Sequence, residues 1–303
     1  MNQKNNDVVL VLGMHRSGTS AVTGLLSHFG AGVPLAGDTP ISKDNPKGHW
    51  EHREINQIND QILRQFGQTW TTWQSINLQK VPAPLISKID RFLLSLIDQD
   101  NGRPIVLKDP RFCILLPLWL EALDRRGLNV KLIFCIRHPD AVARSLLKRN
   151  QLCYERGLLL WLYYNLKVTQ AIGNRACHKL LFPSWLNNPR ELHQHSQRTL
   201  SLCWPKEWDQ CSADAKVFVD QGLVHNEPEE ASDHPLLTQC LILYQLIEQA
   251  PEQWSGEDLN QQIEEFNEQV KPWMNICANL VLNERGLWRR HINEMFNLIN
   301  RNI

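Results

Sequence analysis

The chain has 303 residues, of which 43% are apolar and 21% charged, and its formal net charge is zero. This is an ordinary globular composition, and the charge is unevenly placed. From residue 227 onward 13 acids stand against 5 bases, so the first 226 residues carry a balance of +8. A mildly basic body suits an anionic ligand, and without a dense Lys/Arg run it does not call for nucleic acid. No apolar run approaches the roughly 20 residues that span a bilayer. The N-terminus is polar, and the apolar run after it is too short for a signal peptide. The expectation is a soluble, cytoplasmic protein. Eight cysteines are scattered without a Cys-x-x-Cys pair or zinc spacing, several inside apolar patterns, which predicts reduced core thiols and no metal.

In chain order, Val8 to Leu12 is a short, mostly β-branched run that reads as a buried strand. Gly13-Met14-His15-Arg16-Ser17-Gly18 follows as a loop. Thr19 and Ser20 then open a helix with Ala21, Val22, Leu25, Leu26 and Phe29 at helical spacing. Strand, glycine loop and helix N-terminus together point backbone N–H groups at one spot, a ready site for an anion. The nucleotide-binding P-loop, Gly-x4-Gly-Lys-[Ser/Thr], differs at one place: Thr19 stands where its lysine would be, and the cation comes earlier, at Arg16. Ordinary ATP or GTP chemistry fits less well than a phosphate or phosphosulfate group. The bland alternative is a strand-turn-helix whose glycines serve packing alone.

Residues 30 to 50 read as loop, broken by Gly30, Gly32, Pro34, Gly37, Pro40, Pro46 and Gly48. Helices are predicted over 52–66 and 84–98, with Trp70 and Trp73 in the polar stretch between them. Pro104 to Leu107 is a second buried strand, ending in Lys108-Asp109-Pro110-Arg111 and an apolar helix through Leu123. Val130 to Ile136 is a third strand. It ends in Arg137-His138-Pro139-Asp140 and a helix through Leu147, with Pro139 suited to a first helical position. A long helix is predicted over 155–176, a fourth strand over 178–182 and a helix over 188–203. Residues 227–235 read as an exposed linker, followed by helices at 236–250, 257–270 and roughly 273–299. The domain reading is an α/β body over 1–226 and a helical extension over 227–303 that packs on the body or mediates association.

Strands alternating with helices imply a three-layer fold, a parallel sheet flanked by helices. Ligands in such folds bind beyond the carboxyl ends of the strands. The loops 13–20, 108–111 and 137–145 therefore belong at one edge.

Together these stretches resemble the PAPS-dependent sulfotransferases, whose donor is 3′-phosphoadenosine 5′-phosphosulfate. Gly13-Met14-His15-Arg16-Ser17-Gly18-Thr19-Ser20 looks like the family's 5′-phosphosulfate loop, in the arginine form of tyrosylprotein and many bacterial carbohydrate sulfotransferases. Arg137 to Ser145 looks like the 3′-phosphate signature. Lys108-Asp109-Pro110 resembles the Lys-Asp-Pro of the tyrosylprotein enzymes, and Val217-Phe218-Val219-Asp220 to His225 resembles the end of the catalytic domain in bacterial members. The likeness spans roughly residues 8 to 226. No counterpart exists of the Arg-Lys-Gly segment of cytosolic members.

The resemblance implies a P-loop-like fold and sulfuryl transfer from PAPS, without a metal, to a hydroxyl or amine of a glycan, glycolipid or other small acceptor. It implies cofactor binding by Arg16, Ser17, Gly18, Thr19, Ser20, Arg137 and Ser145. Arg16 and Lys108 would stabilise the transferring group, and Glu51 would be the base, with His49 as the other candidate. Asp109 is expected to orient Lys108. Arg137 has its own physical logic, since a guanidinium grips phosphate bidentately. The plainer alternatives are a surface ion pair for Arg137, an exposed lysine for Lys108, a helix-dipole role for Glu51 and simple burial for each Trp. Two other functions stay open: a kinase or NTPase with Asp109 as a Mg²⁺ ligand, and a non-catalytic nucleotide-binding module.

Overall fold

The computed structural model describes residues 6–34, 48–98, 102–173, 175–219, 234–251 and 257–281. The segments 35–47 and 220–233, with Asp220 and His225, lie outside them, as does the part of the last predicted helix beyond 281. Four strands form one parallel sheet: β1 (Asp7–Leu12), β2 (Ile105–Lys108), β3 (Asn129–Ile136) and β4 (Cys177–Leu181), in the order β2-β1-β3-β4. β1 pairs on both sides, Val8 opposite Ile105 and Leu10 opposite Leu132. Successive side chains of a strand point to opposite faces, and here both faces are buried. Val8, Leu10, Leu12, Leu132 and Phe134 belong to one core; Val9, Val11, Ile133 and Cys135 belong to the other.

The second core is closed by α1 (Thr19–His28), α7 (Pro189–Leu200) and α8 (Trp208–Phe218). The first holds α2 (Arg53–Gln65), α3 (Ala83–Asp98), α4 (Phe112–Arg125), α5 (Pro139–Asn150) and α6 (Tyr154–Ile172). α9 (Pro235–Gln249) and α10 (Glu257–Val281) join that same core, sending Leu236, Leu237, Cys240 and Leu243 in from α9. The chain thus has the expected three-layer α/β fold with helices at its C-terminal side. No helix of the described residues is long and apolar enough to cross a membrane.

Two helices depart from the pattern reading. The predicted break between residues 270 and 273 is absent, and α10 runs through Pro272. A proline inside a helix removes one backbone hydrogen bond. Here Ile263, Phe266, Val270 and Met274 form one buried stripe across it, and their burial offsets that loss. α8 was not predicted, because its inner face is only Cys211 and Ala215, too slight for a clear apolar period.

α5 and α6 pack unusually close. A Cβ on Gly157 would lie 2.8 Å from Ala143 Cα, a backbone atom. Gly to Ala inside a helix ordinarily gains roughly 0.5–1 kcal/mol. At this crossing the sign reverses, because the helices must move apart. Gly157→Ala is expected to lose about 1–3 kcal/mol through overpacking, read as a lower urea midpoint with an unchanged slope.

Candidate functional site

The parallel register brings three strand ends to one edge, and the side chains there meet. β1 ends in a loop with two backbone demands. Gly13 has φ 147° and Gly18 φ 85°, conformations that favour glycine. Both are also close approaches: a Cβ would lie 2.5 Å from Cys135 O at Gly13 and 2.8 Å from Phe182 Cδ2 at Gly18. The Gly13 N–H donates to Cys113 Sγ (3.3 Å), tying the loop to α4. Arg16 sits at φ 73°, a strained backbone for a residue with a Cβ, and such strain concentrates at functional sites.

Val22 N–H makes the first bond of α1, to Gly18 O (3.1 Å). The amides of Thr19, Ser20 and Ala21 thus have no acceptor within the helix, which is the general property of a helix start. The Ser17 side chain is fully buried, and its hydroxyl has no hydrogen-bond partner among the described residues. A buried hydroxyl and a helix N-terminus side by side fit a bound anion.

Arg16 Nε donates to Ser145 Oγ on α5 (2.8 Å), and Arg137 Nη1 donates to the Arg16 carbonyl (3.1 Å). Arg137 lies at the end of β3, almost buried, over the Phe182 ring at 4.5 Å. Its own carbonyl is held by Trp161 Nε1 of α6 (2.8 Å). Burial, and then the Arg16 cation beside it, lower the Arg137 pKa to about 10. Two guanidinium groups are thus held close enough to oppose each other's charge. Phe182 and Trp161 are parts of this arrangement that the motifs did not reveal, because they lie outside the signature stretches.

On the other side of α1, Lys108 at the end of β2 is 3% exposed. Its Nζ donates to Glu51 Oε1 (2.5 Å), the His49 carbonyl (3.1 Å) and Ser20 Oγ (3.3 Å). Ser20 Oγ also donates to the His49 carbonyl (3.1 Å), so the strand end and the helix start clamp residues 49–51. Glu51 Oε2 accepts from Asn56 Nδ2 of α2 (2.9 Å). Burial alone would raise the Glu51 pKa; the charge and hydrogen bond of Lys108 outweigh it and pull it down to about 2. Glu51 therefore does more than face a helix dipole.

The expected Asp109–Lys108 contact is replaced by another. Asp109 accepts from Arg111 N (2.7 Å), and both its oxygens accept from Arg111 Nη1 (3.0 and 2.9 Å). Neighbours along a strand end point to opposite sides, so Lys108 and Asp109 serve different partners. Arg111 also pairs with Asp60 (2.8 Å).

His15 matches no ligand pattern in the sequence. Its ring lies 4.5 Å from that of Trp70 and 5.9 Å from that of Tyr164, and its Nε2 is buried without a hydrogen-bond partner among the described residues. Tyr164 donates to the Trp70 carbonyl (2.7 Å) and Tyr163 to the Gln74 carbonyl (2.8 Å), fixing residues 70–74 on α6. Trp73 is a core residue, as the bland reading had it. Trp70 borders the loop, and Trp50, at φ 55°, meets Phe218 of α8 at 6.1 Å.

No family model and no curated protein matches the chain. Among solved structures, it is similar to the sulfotransferase domain of the Synechococcus olefin synthase, at 15% identity and TM-score 0.46 over 81% of this chain and 97% of that one. It is similar to the sulfotransferase domain of the curacin biosynthetic pathway at 14% and 0.46, over 80% and 97%. A Mycobacterium tuberculosis sulfotransferase matches at 14% and 0.39, over 70% of each chain.

Burial, then the Arg111 cation, lower the His15 pKa from 6.5 to about 3. Its folded pKa lies below the unfolded one, so the unfolded chain binds this proton first. Stability due to neutral His15 is full above pH 6.5 and is lost as pH falls toward 3. The expected slope is up to about 1.4 kcal/mol per pH unit, and His15→Gln should remove that part of it in urea titrations taken at successive pH values.

Proposed function

We propose that the chain is a sulfotransferase that uses PAPS, and that the site just described is its donor site. The observation that carries this reading is the meeting of Arg16 and Arg137, two partly desolvated cations, beside the N-terminus of α1. Anionic groups beside them relieve their mutual repulsion, and one of these takes up the orphaned Ser17 hydroxyl. Two phosphate-bearing positions on one nucleotide match two cations better than one phosphate does.

In this reading Arg16, Ser17, Gly18, Thr19 and Ser20 hold the 5′-phosphosulfate, and Arg137 with Ser145 holds the 3′-phosphate. Lys108 meets the sulfuryl oxygens. The acceptor oxygen forms a bond to sulfur while the bond from sulfur to the phosphate oxygen breaks. Charge grows on that leaving oxygen, where Arg16 stabilises it, and the acceptor proton passes to Glu51. The product is adenosine 3′,5′-bisphosphate, and no step needs a metal. The acceptor is a hydroxyl of a glycan, glycolipid or other small molecule reached past Trp70 and His15. Residues 1–226 carry the chemistry, 227–303 are a helical extension packed on that body, and the enzyme works in the cytoplasm.

The kinase reading has less support. Thr19 occupies the place of the P-loop lysine, and both oxygens of Asp109 are taken by Arg111.

Calorimetry with adenosine 3′,5′-bisphosphate tests the proposal. The wild type is expected to bind it and to prefer it to ATP in competition. Each charge-assisted hydrogen bond is worth about 1.5–3 kcal/mol, so Arg137→Ala should weaken binding roughly 10- to 100-fold. No binding at millimolar ligand would overturn the reading.

A further inference from the structure

The Lys108–Glu51 pair raises a difficulty for the roles just assigned, and its resolution is informative. The ammonium of Lys108 has three N–H donors, and all three are engaged: Glu51, the His49 carbonyl and Ser20 Oγ. It is shielded from water, and the side chain of Glu51 is 16% exposed. A lysine committed in this way has no donor left for a sulfuryl oxygen, and a carboxylate so paired is a poor proton acceptor. Neither group is ready to act in the arrangement described above.

We infer that Glu51 and the donor compete for Lys108, so that the ion pair is a lock which arrival of the anionic donor opens, and which orders binding as donor first, acceptor second. The inference rests on the donor reading of the site. Three features of the geometry carry it. Lys108 already touches Ser20, on the first turn of α1, so its ammonium stands beside the anion site and need only exchange one partner. The partner exchanged is the charged one, because removing a carboxylate from a buried cation costs several kcal/mol unless another anion replaces it. Glu51 also has a second anchor. Asn56 Nδ2 holds its other oxygen at 2.9 Å, so the carboxylate stays oriented after Lys108 turns away.

The surroundings favour release of a proton-accepting carboxylate. The charged and titratable groups acting on Glu51 are Lys108 of β2, His15 of the loop and Arg111 before α4. Lys108 is the strongest of the attractive influences, and with it engaged elsewhere Glu51 regains basicity. One event therefore gives the sulfuryl group its cation and the acceptor its base. Before that event, Glu51 is too weak a base to activate an acceptor or water.

The experiment is a double-mutant cycle on PAPS binding in the absence of an acceptor, read by calorimetry, with circular dichroism to verify folding. Glu51→Gln removes the competing charge. Glu51→Asp keeps the charge but draws it back by one methylene, and it guards against a misfolded glutamine variant. Both are expected to tighten binding about five- to tenfold over wild type, the scale of a coupled contact pair. In a Lys108→Met background neither should change the affinity. Unchanged or weaker binding by the Glu51 variants overturns the lock. Equal tightening with and without Lys108 also overturns it, since that is bulk charge removal rather than competition for one cation. If the wild type binds neither PAPS nor the bisphosphate, the donor reading fails first and the lock with it, an outcome distinct from binding without coupling.

Discussion

Parallel pairing of β1 on both of its edges is the constraint on which the rest depends. In a parallel sheet the carboxyl ends of neighbouring strands face the same way. With Val11 opposite Lys108 and Leu12 opposite Phe134, the glycine loop leaves the sheet between the ends of β2 and β3. Lys108 and Arg137 are then brought to opposite flanks of α1 without any long-range motif having to specify it. The register alone sets the spacing of the cations. A shift of one residue in either pairing would turn the inward and outward faces over, and both cores forbid it.

Much of this was legible in the sequence. All four strands follow from short runs ended by Gly, Pro or charge; β2 and β4 are each displaced by one residue from the stretches read in the sequence. The alternation of strands and helices by itself places the loops that carry Arg16, Lys108, Arg137 and Ser145 at one edge. What escaped the sequence has physical reasons. α8 buries a Cys and an Ala, a face too small to show a period. Pro272 signalled a break that the continuous stripe from Ile263 to Met274 overrides. Asp109 went to Arg111 because pairing depends on where side chains point, which adjacency in sequence does not give. His15 carries no pattern at all; only the enclosing rings of Trp70 and Tyr164 single it out.

The site is built from opposed costs. Arg16 accepts an unfavourable backbone, Arg137 accepts desolvation beside a like charge, and His15 is kept neutral by burial. Each departs from what stability alone would select, and departures of this kind gather where a ligand supplies the missing compensation. The Lys108–Glu51 pair is the counterpart: a cost already balanced within the protein, beside an edge where the other costs are not.

α6 has one more consequence. Its Trp161 holds the carbonyl of Arg137, its Tyr163 and Tyr164 hold residues 70–74, and its outer side receives α9 and α10. The two flanks of the site therefore hang from one rod. Local opening in proteins follows cooperative units rather than individual loops. A fluctuation that loosens α6 slackens the Arg137 side and the tryptophan side at once, so the cleft breathes as a single body and does not divide into halves that open on separate clocks.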